Sequence, residues 1–596
     1  MRSWVAHIRD LFRDDPWGMV ARCTAALAVL ALLLFTWQAV TAARALNEAQ
    51  QTAHSLADAI AAGDVPRARV ELATFNDATS RAHHRTDGPL WWLGARIPFL
   101  GPNLAAVSTI AGQSDAIADD ALPRIVAVAD QVQLETFRPK NGRINLAAVA
   151  KALPVLATTD RVLARADAKV SSIQTDRLVG LLQSPVSTFQ QRTHAAAVGA
   201  AAAHDAGLML PKMLGGDGKT RRYLLLVLNN AEIRSIDGMP GSFAVLEARR
   251  GKLAMREQAG NTEMKPLKKP LLNVHPETQA GFEVNVGRDI RDAAIVPHFP
   301  RVAALASSIA GDHWDKKFDG VVAIDPVALG YVLGAVGQVD IGGGMFVNQS
   351  NAASTLMNGI YLRFPKDPAA QDDAFERAAR RSFDALTGGG GNSVQAIRAL
   401  VRGVEERRLF LWSRHNAEQA RIRSTGIAGD LTDDRALARP QIGVFLTDTT
   451  QAKMDYYLRS GTHVVATKCY GDGTQDLRLT TTIRSDAPQG AQLLPDSIVG
   501  LGNAIHRGQT GLNIRLVAPP KGSIQSVTVD GRRAPVGETT YRGRQLTRID
   551  RILGPGESTL IVTQMRSGPR ASGTPMLWST PGVLPNDDVV SASACS

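Results

Sequence analysis

Between Leu228 and Phe243 the chain reads NNAEIRSIDGMPGS, the densest polar cluster in its 596 residues. Asn229, Asn230, Glu232, Arg234, Asp237 and Ser242 follow directly on a short apolar run, Tyr223 to Leu228 (YLLLVL). A continuous run of this kind reads as a strand covered on both faces. In an α/β sheet, ligands bind at the carboxyl ends of the strands. Acids, amides and a guanidinium placed there have the chemistry to hold a divalent metal and a phosphate. The same residue types also build a capped turn, because Asn and Asp tolerate unusual dihedrals and Gly238 and Gly241 allow tight bends. The residues alone leave both readings open.

A second polar group, Arg288, Asp289, Arg291 and Asp292, precedes VPHFP at Val296 to Pro300. Arg288 has the fork to face an anionic oxygen bidentately, whereas neighbouring Arg/Asp pairs commonly form solvated ion pairs. Asp325 closes another apolar run, GVVAI from Gly320 to Ile324, and reads as the N-cap of a helix opened by Pro326.

Other chemistries are excluded. Gly218-Lys219-Thr220 ends like a phosphate-binding loop, but Met213 stands where its first glycine belongs, and a strand rather than a helix follows. The 12 histidines include no i, i+4 pair flanking a glutamate, which disfavours a zinc hydrolase. No G-x-S-x-G elbow precedes a helix. The 67 Lys and Arg against 56 Asp and Glu leave +11, without the basic stripe and stacking aromatics that nucleic acid binding requires. Cys23, Cys469 and Cys595 share no ligand spacing. Cys23 lies in an apolar run, so only Cys469 and Cys595 remain as a candidate pair, and whether they join stays open.

The elements that must carry these residues begin with a membrane-length segment. Cys23 to Ala43 is uncharged, close to the roughly 20 residues that cross a bilayer as a helix. Arg2, Arg9, Arg13 and Arg22 precede it, and only Arg44 follows before Val65. The positive-inside rule therefore places residues 1–22 in the cytoplasm, 23–43 in the membrane and the bulk outside. A cleaved signal peptide is the alternative, though its apolar core usually spans only about 7 to 15 residues. Residues 44–214 carry helical periodicity, interrupted by the aromatic GPLWWLGARIPFLGPN from Gly88 to Asn103. That segment is either a packed connector or an element lying on the membrane surface. Alternating strand and helix patterns over 221–425 predict a three-layer α/β domain, and short alternating runs over 440–566 predict an antiparallel β-sandwich. Residues 567–596, rich in Ser, Pro and Gly, read as a flexible tail. The expected fold is multidomain α+β: an N-terminal transmembrane helix, a helical region, a central α/β domain and a C-terminal sandwich.

RYLLLVLNNAEIRSIDGMPGSFAVLEARRGKL from Arg222 to Leu253, FDGVVAIDPVALGYVLGAVGQVDI from Phe318 to Ile341, and KMDYYL from Lys453 to Leu458 resemble the bacterial envelope family called domain of unknown function 4012. Two positions depart from its pattern: Asp237-Gly238 stands where a paired glycine is usual, and His298 where Asp is common. A more distant likeness joins Arg234, Asp237 and FAVLEA, together with VVAIDPVALGYVLGAVGQVDI, to the LytR-CpsA-Psr family. Its members are membrane-anchored enzymes that move glycopolymers from polyprenyl-pyrophosphate carriers to peptidoglycan. That likeness implies that Arg234 and Arg288 hold pyrophosphate and that Asp237 with Asp289 orients magnesium. The resulting expectation is an envelope protein that binds or transfers a polyprenyl-phosphate-linked glycopolymer. The alternative is a non-catalytic scaffold that binds envelope proteins.

Overall fold

The computed structural model describes residues 16–62, 64–131, 139–271, 276–282, 286–423, 425–431, 439–502 and 505–595. Arg2, Arg9 and Arg13, on which the expected orientation rests, lie outside them. The chain divides into two compact units, residues 1–135 with 147–208 and residues 136–146 with 209–596.

The first unit is helical. Helix α1 (Pro16–Ala62) is long and apolar enough to cross a membrane. Its C-terminal part packs against α2 (Val65–Thr86) and α4 (Gly101–Asp120) along a seam of small side chains, with Ala45, Ala82 and Ala111 in one cluster and Ala49, Ala78 and Ala118 in another. Alanine there lets the helix axes approach closely while keeping high helix propensity. Between α2 and α4 lies the short α3 (Pro89–Gly94). After α5 (Leu122–Gln131), α6 (Leu146–Ser171) and α7 (Gly180–Met213) face each other through His194 with Asp167 and His204 with Asp160.

The second unit holds three sheets of interest. Strands β1 (Arg221–Arg234), β2 (Asp237–Arg249), β3 (Lys252–Gly260), β4 (Gly320–Ile324) and, after a small β5–β6 ribbon (Val339–Gly342 and Met345–Val347), β7 (Leu409–Ser413) form a sheet of order β3-β2-β1-β4-β7. Only the β1–β4 pairing in it is parallel. Leu224, Leu226 and Leu228 point to one face, against α8 (Phe299–Trp314). Leu225 and Val227 point to the other, toward α9 (Pro326–Val336), α10 (Pro368–Thr387) and α11 (Ser393–Glu405). The apolar run is thus covered on both sides, and Asp325 caps α9 by accepting from the Ala328 amide at 2.7 Å.

Beyond residue 440, β8 (Gln441–Asp448), β9 (Leu458–Cys469), β10 (Gln475–Ser485), β11 (Thr510–Val517), β12 (Ser523–Val529), β13 (Arg532–Ala534), β14 (Thr540–Tyr541), β15 (Arg544–Leu553) and β16 (Ser558–Arg566) build two sheets around one core. All eight residues of β8 and all eight of β11 are buried. Their sheet is covered twice: by the sandwich core on one side, and on the other by Phe282, Val296 and Leu431, which pack with Phe445 and Val517.

The tail expectation is corrected. β17 (Met576–Ser579) pairs parallel with β8, and β18 (Val589–Val590) pairs parallel with β9. Trp578 is fully buried against Phe445, and Cys595 is joined to Cys469. Ser, Pro and Gly are turn formers as well as tail formers, and composition does not separate the two when the pairing partners lie more than 100 residues away.

Candidate functional site

β1 and β2 pair, with one slip between Val227 and Leu228, as far as Asn229 opposite Met239 and resume at Ile233 opposite Gly238. Asn230, Ala231 and Glu232 are therefore looped out of the ladder, a bulge that re-aims side chains. Gly238 closes the hairpin against it: a Cβ there would sit 2.3 Å from the Asn229 carbonyl carbon. The polar cluster is consequently neither a simple strand end nor a simple capped turn. It is the far end of a long hairpin, and its tip enters the sandwich.

Four groups anchor that tip. Ile233 belongs to the sandwich core, and its amide donates to Asp455 Oδ2 at 3.0 Å. The Arg234 guanidinium donates to the Ile233 carbonyl at 2.9 Å and stands 3.8 Å from Asp448 Oδ2. Ser235 meets Thr447 at 3.2 Å, and the Ser235 carbonyl accepts from Thr580 Oγ1 at 3.0 Å. Burial pushes Asp448 up to about 7 against the opposing pull of Arg234.

Behind the bulge is a buried polar network. Asn230 Nδ2 donates to Asp325 Oδ2 at 2.8 Å, and Arg408 Nη1 donates to the same oxygen at 2.6 Å. Arg408 also donates to the Gly582 carbonyl at 2.8 Å and to Glu406 at 2.9 Å. Asp237 is fully buried, and neither of its carboxyl oxygens makes a well-formed hydrogen bond. Burial, reinforced by the neighbouring Asp325 charge, holds it well above the usual carboxylate range.

The Glu232 side chain of the bulge faces a cavity of about 470 Å³ between the sheet and helices α9, α10 and α11. Its wall is mainly apolar: Leu225, Val227, Val322, Leu329, Phe375 and Leu400 represent the strands and the three helices. Polar groups gather toward the carboxyl end of β1. Glu232 Oε1 receives Lys453 Nζ at 2.8 Å, and that ammonium also lies 4.7 Å from the Tyr361 ring centroid. Asn229, Ser242, Asn261 and Asp372 also line the cavity. Asp372 is raised, first by burial and then by Glu263.

The residues expected from sequence thus part company. Asn229, Glu232 and Asp325 line the apolar cavity. Arg234 lines a separate, polar cavity of about 580 Å³ with Asp448, Arg515 and Arg548. Arg288 donates to the Leu267 carbonyl at 3.0 Å. Asp289 caps the short helix Ile290–Ala293 and grips Arg291 at 2.9 and 2.5 Å. Asp237 is buried beside Asp325 and Arg408, and Asp289 is engaged by Arg291. Among the described residues, no group of three or more His, Cys, Asp or Glu is placed to hold a metal. Sequence reading assigned no role to Lys453, Tyr361 or Arg408. The signal for Lys453 was present in KMDYYL, and that for Arg408 in the charged EERR that runs into the buried strand LFLW.

His298 caps α8, its Nδ1 accepting from the Arg301 amide at 3.1 Å. Burial, with Arg542 and Arg301 nearby, lowers it to about 3. It is neutral and supplies the acceptor that an aspartate would supply at an N-cap.

The hairpin, its bulge and the wall of the cavity define a cavity-bearing α/β domain tied to a sandwich. The family described as protein of unknown function (DUF4012) matches residues 218–361, from the approach to β1 through Tyr361. No curated protein and no solved structure matches the chain.

Proposed function

We propose that this protein is an exported, membrane-anchored envelope component that binds the apolar chain of a lipid, such as a polyprenyl phosphate or the lipid end of a lipid-linked glycan. The observation that carries the reading is the cavity under the central sheet, apolar along its length and polar where Glu232 and Lys453 meet. Ligand sites commonly combine such a wall with a few convergent polar groups. Two further features support placement outside the cytoplasm: the membrane-length helix α1 and the Cys469–Cys595 disulfide, a bond that persists in oxidising compartments. The geometry favours binding over transfer. In the LytR-CpsA-Psr likeness Arg234 would hold the pyrophosphate, yet here it is spent on the sandwich.

The test is mass spectrometry of lipids extracted from the full-length protein purified in detergent. Leu329→Trp, which fills the cavity, is expected to lose the bound lipid while retaining its circular dichroism. Arg234→Ala is expected to keep it. Lipid carried equally by wild type and Leu329→Trp would reject the reading.

A further inference from the structure

Helix α2 runs back along α1 and reaches the level of its membrane-length stretch, where the Arg85 guanidinium lies 4.2 Å from the Trp37 ring centroid. The chain then turns through α3 and residues 95–100 before α4 leads away. α3 rests on α1 itself: Trp91 packs on Phe35 with ring centroids 5.3 Å apart, and a Cβ on Gly94 would come within 3.6 Å of the Phe35 ring. Phe35 lies eight residues before Ala43, the last residue of the uncharged run, which is about 12 Å along a helix. With α1 crossing a bilayer, the turn would sit at the depth of the hydrocarbon, not above it.

Its composition suits that depth. Trp92, Leu93, Ile97, Phe99 and Leu100 are all exposed, Phe99 at 93%. Arg96 is the one charge between Gly88 and Asn103, and it is folded onto the turn, 3.3 Å over the Trp92 ring and bonded to the Trp92 carbonyl. Much of the backbone is satisfied locally, which lipid favours: the amides of Trp92, Ala95, Arg96, Ile97, Leu100, Gly101 and Leu104 donate within the segment, and residues 89, 98 and 102 are prolines without a donor. Trp91 Nε1 is satisfied by the Leu104 carbonyl at 3.0 Å. Phe99 holds φ at +65°, a conformation that favours glycine, although its ring packs on nothing in the fold.

We propose that residues 88–103 form a wedge inserted into the leaflet that the C-terminal end of the α1 span enters, so that the protein holds the bilayer at two adjacent points. The ligand is the lipid itself, through acyl chains around Phe99, Ile97 and Leu93. The inference rests on α1 crossing the membrane.

The test uses the full-length protein in nanodiscs of phosphatidylcholine and phosphatidylglycerol. In a Cys23→Ser background, nitroxide labels are placed by Phe99→Cys, by Leu30→Cys on the span, and by Asp58→Cys on the distal part of α1. Collision rates with oxygen and with a water-soluble nickel complex are then compared. The Phe99 label is expected to favour oxygen, as the Leu30 label does, while the Asp58 label favours nickel. A nickel-accessible Phe99 label beside a lipid-facing Leu30 label overturns the wedge and leaves the anchor standing. Nickel access at Leu30 removes the anchor and the wedge with it. Label-to-label broadening at Phe99 that disappears on dilution with unlabelled protein overturns it in favour of a contact between copies.

Discussion

Lys453 reaches from the segment between β8 and β9 to place its ammonium 2.8 Å from the Glu232 carboxylate, on the wall of a mainly apolar cavity. The bulge in β1 makes the contact possible, because without three looped-out residues Glu232 would be held in the ladder. A buried ion pair gives up hydration on both partners, and removing either one strands the other. On the proposed reading, an incoming head group would meet a cation already neutralised.

Glu232→Gln keeps the shape and removes the negative charge, which frees Lys453 to face an anion. The variant is expected to bind a polyprenyl phosphate about tenfold more tightly, or about 1.4 kcal/mol, with no gain for the corresponding uncharged polyprenol. Calorimetric titration of both ligands into the detergent-solubilised protein checks this. An equal gain for both would trace the effect to the cavity's shape rather than to charge.

Arg234 carries a different expectation from the one its sequence context suggested. Its partners are the Ile233 carbonyl and Asp448, and it lines the polar cavity, not the apolar one. Arg234→Ala strands a buried carboxylate and loosens the hairpin tip. A stability loss of about 1 to 3 kcal/mol is expected, with unchanged lipid content. Thermal unfolding alongside lipid extraction separates the two readouts.

These contrasts show what a single chain of letters carries. YLLLVL and GVVAI announce buried strands through continuous apolar character, and Asp325-Pro326 announces a helix start, because such signals are local. The Asp472-Gly473 and Asp530-Gly531 turns are local too, with Asp530 and Gly531 both at positive φ in the β12–β13 connection. The membrane-length stretch of α1 was legible for the same reason. The cavity was not, since it depends on how far α10 and α11 stand from the sheet, and their patterns look like those of any helix covering a core. The partners of Arg234 were hidden as well: Asp448 lies 214 residues away, and nothing in IDGMPGS tells a strand end at a ligand site from a hairpin inserted into another sheet. Val589-Val590 reads as tail because two residues carry no periodicity, and only their pairing with His463 and Val464 makes them a strand.

Two buried groups give opposite pH dependences. Asp448, at about 7 in the fold against 3.8 unfolded, binds its proton more tightly when native. Its contribution is complete below about pH 4 and lost as pH rises to about 7. His298, at about 3 against 6.5, is neutral when native; its contribution is complete above about pH 6.5 and lost as pH falls. Asp448→Asn is therefore expected to make the slope of melting temperature against pH more positive between about pH 4 and 7. His298→Asn, which preserves a capping oxygen, is expected to make it more negative. Parallel scans of both variants and the wild type across that range measure the slopes, and changes of the same sign relative to the wild type would refute the assignment.

The disulfide closes a loop of 126 residues around most of the sandwich. Chain-entropy arguments give a crosslink of this span roughly 5 kcal/mol, but the strand it secures is short, and that divides the effect. β18 contributes two residues to the edge of its sheet, whereas Trp578 and β17 are held independently by packing on Phe445 and pairing with β8. Cys595→Ser should therefore free the last few residues at little cost to the folded core, while global unfolding shifts by the entropy released from the denatured chain. Limited proteolysis is expected to cut after about residue 587 in the variant and not in the wild type, with Trp578 fluorescence unchanged. Reductant added to the wild type should reproduce the cut. Cleavage before β17 instead would mean that the crosslink, and not the buried tryptophan, holds the C-terminal segment in the sandwich.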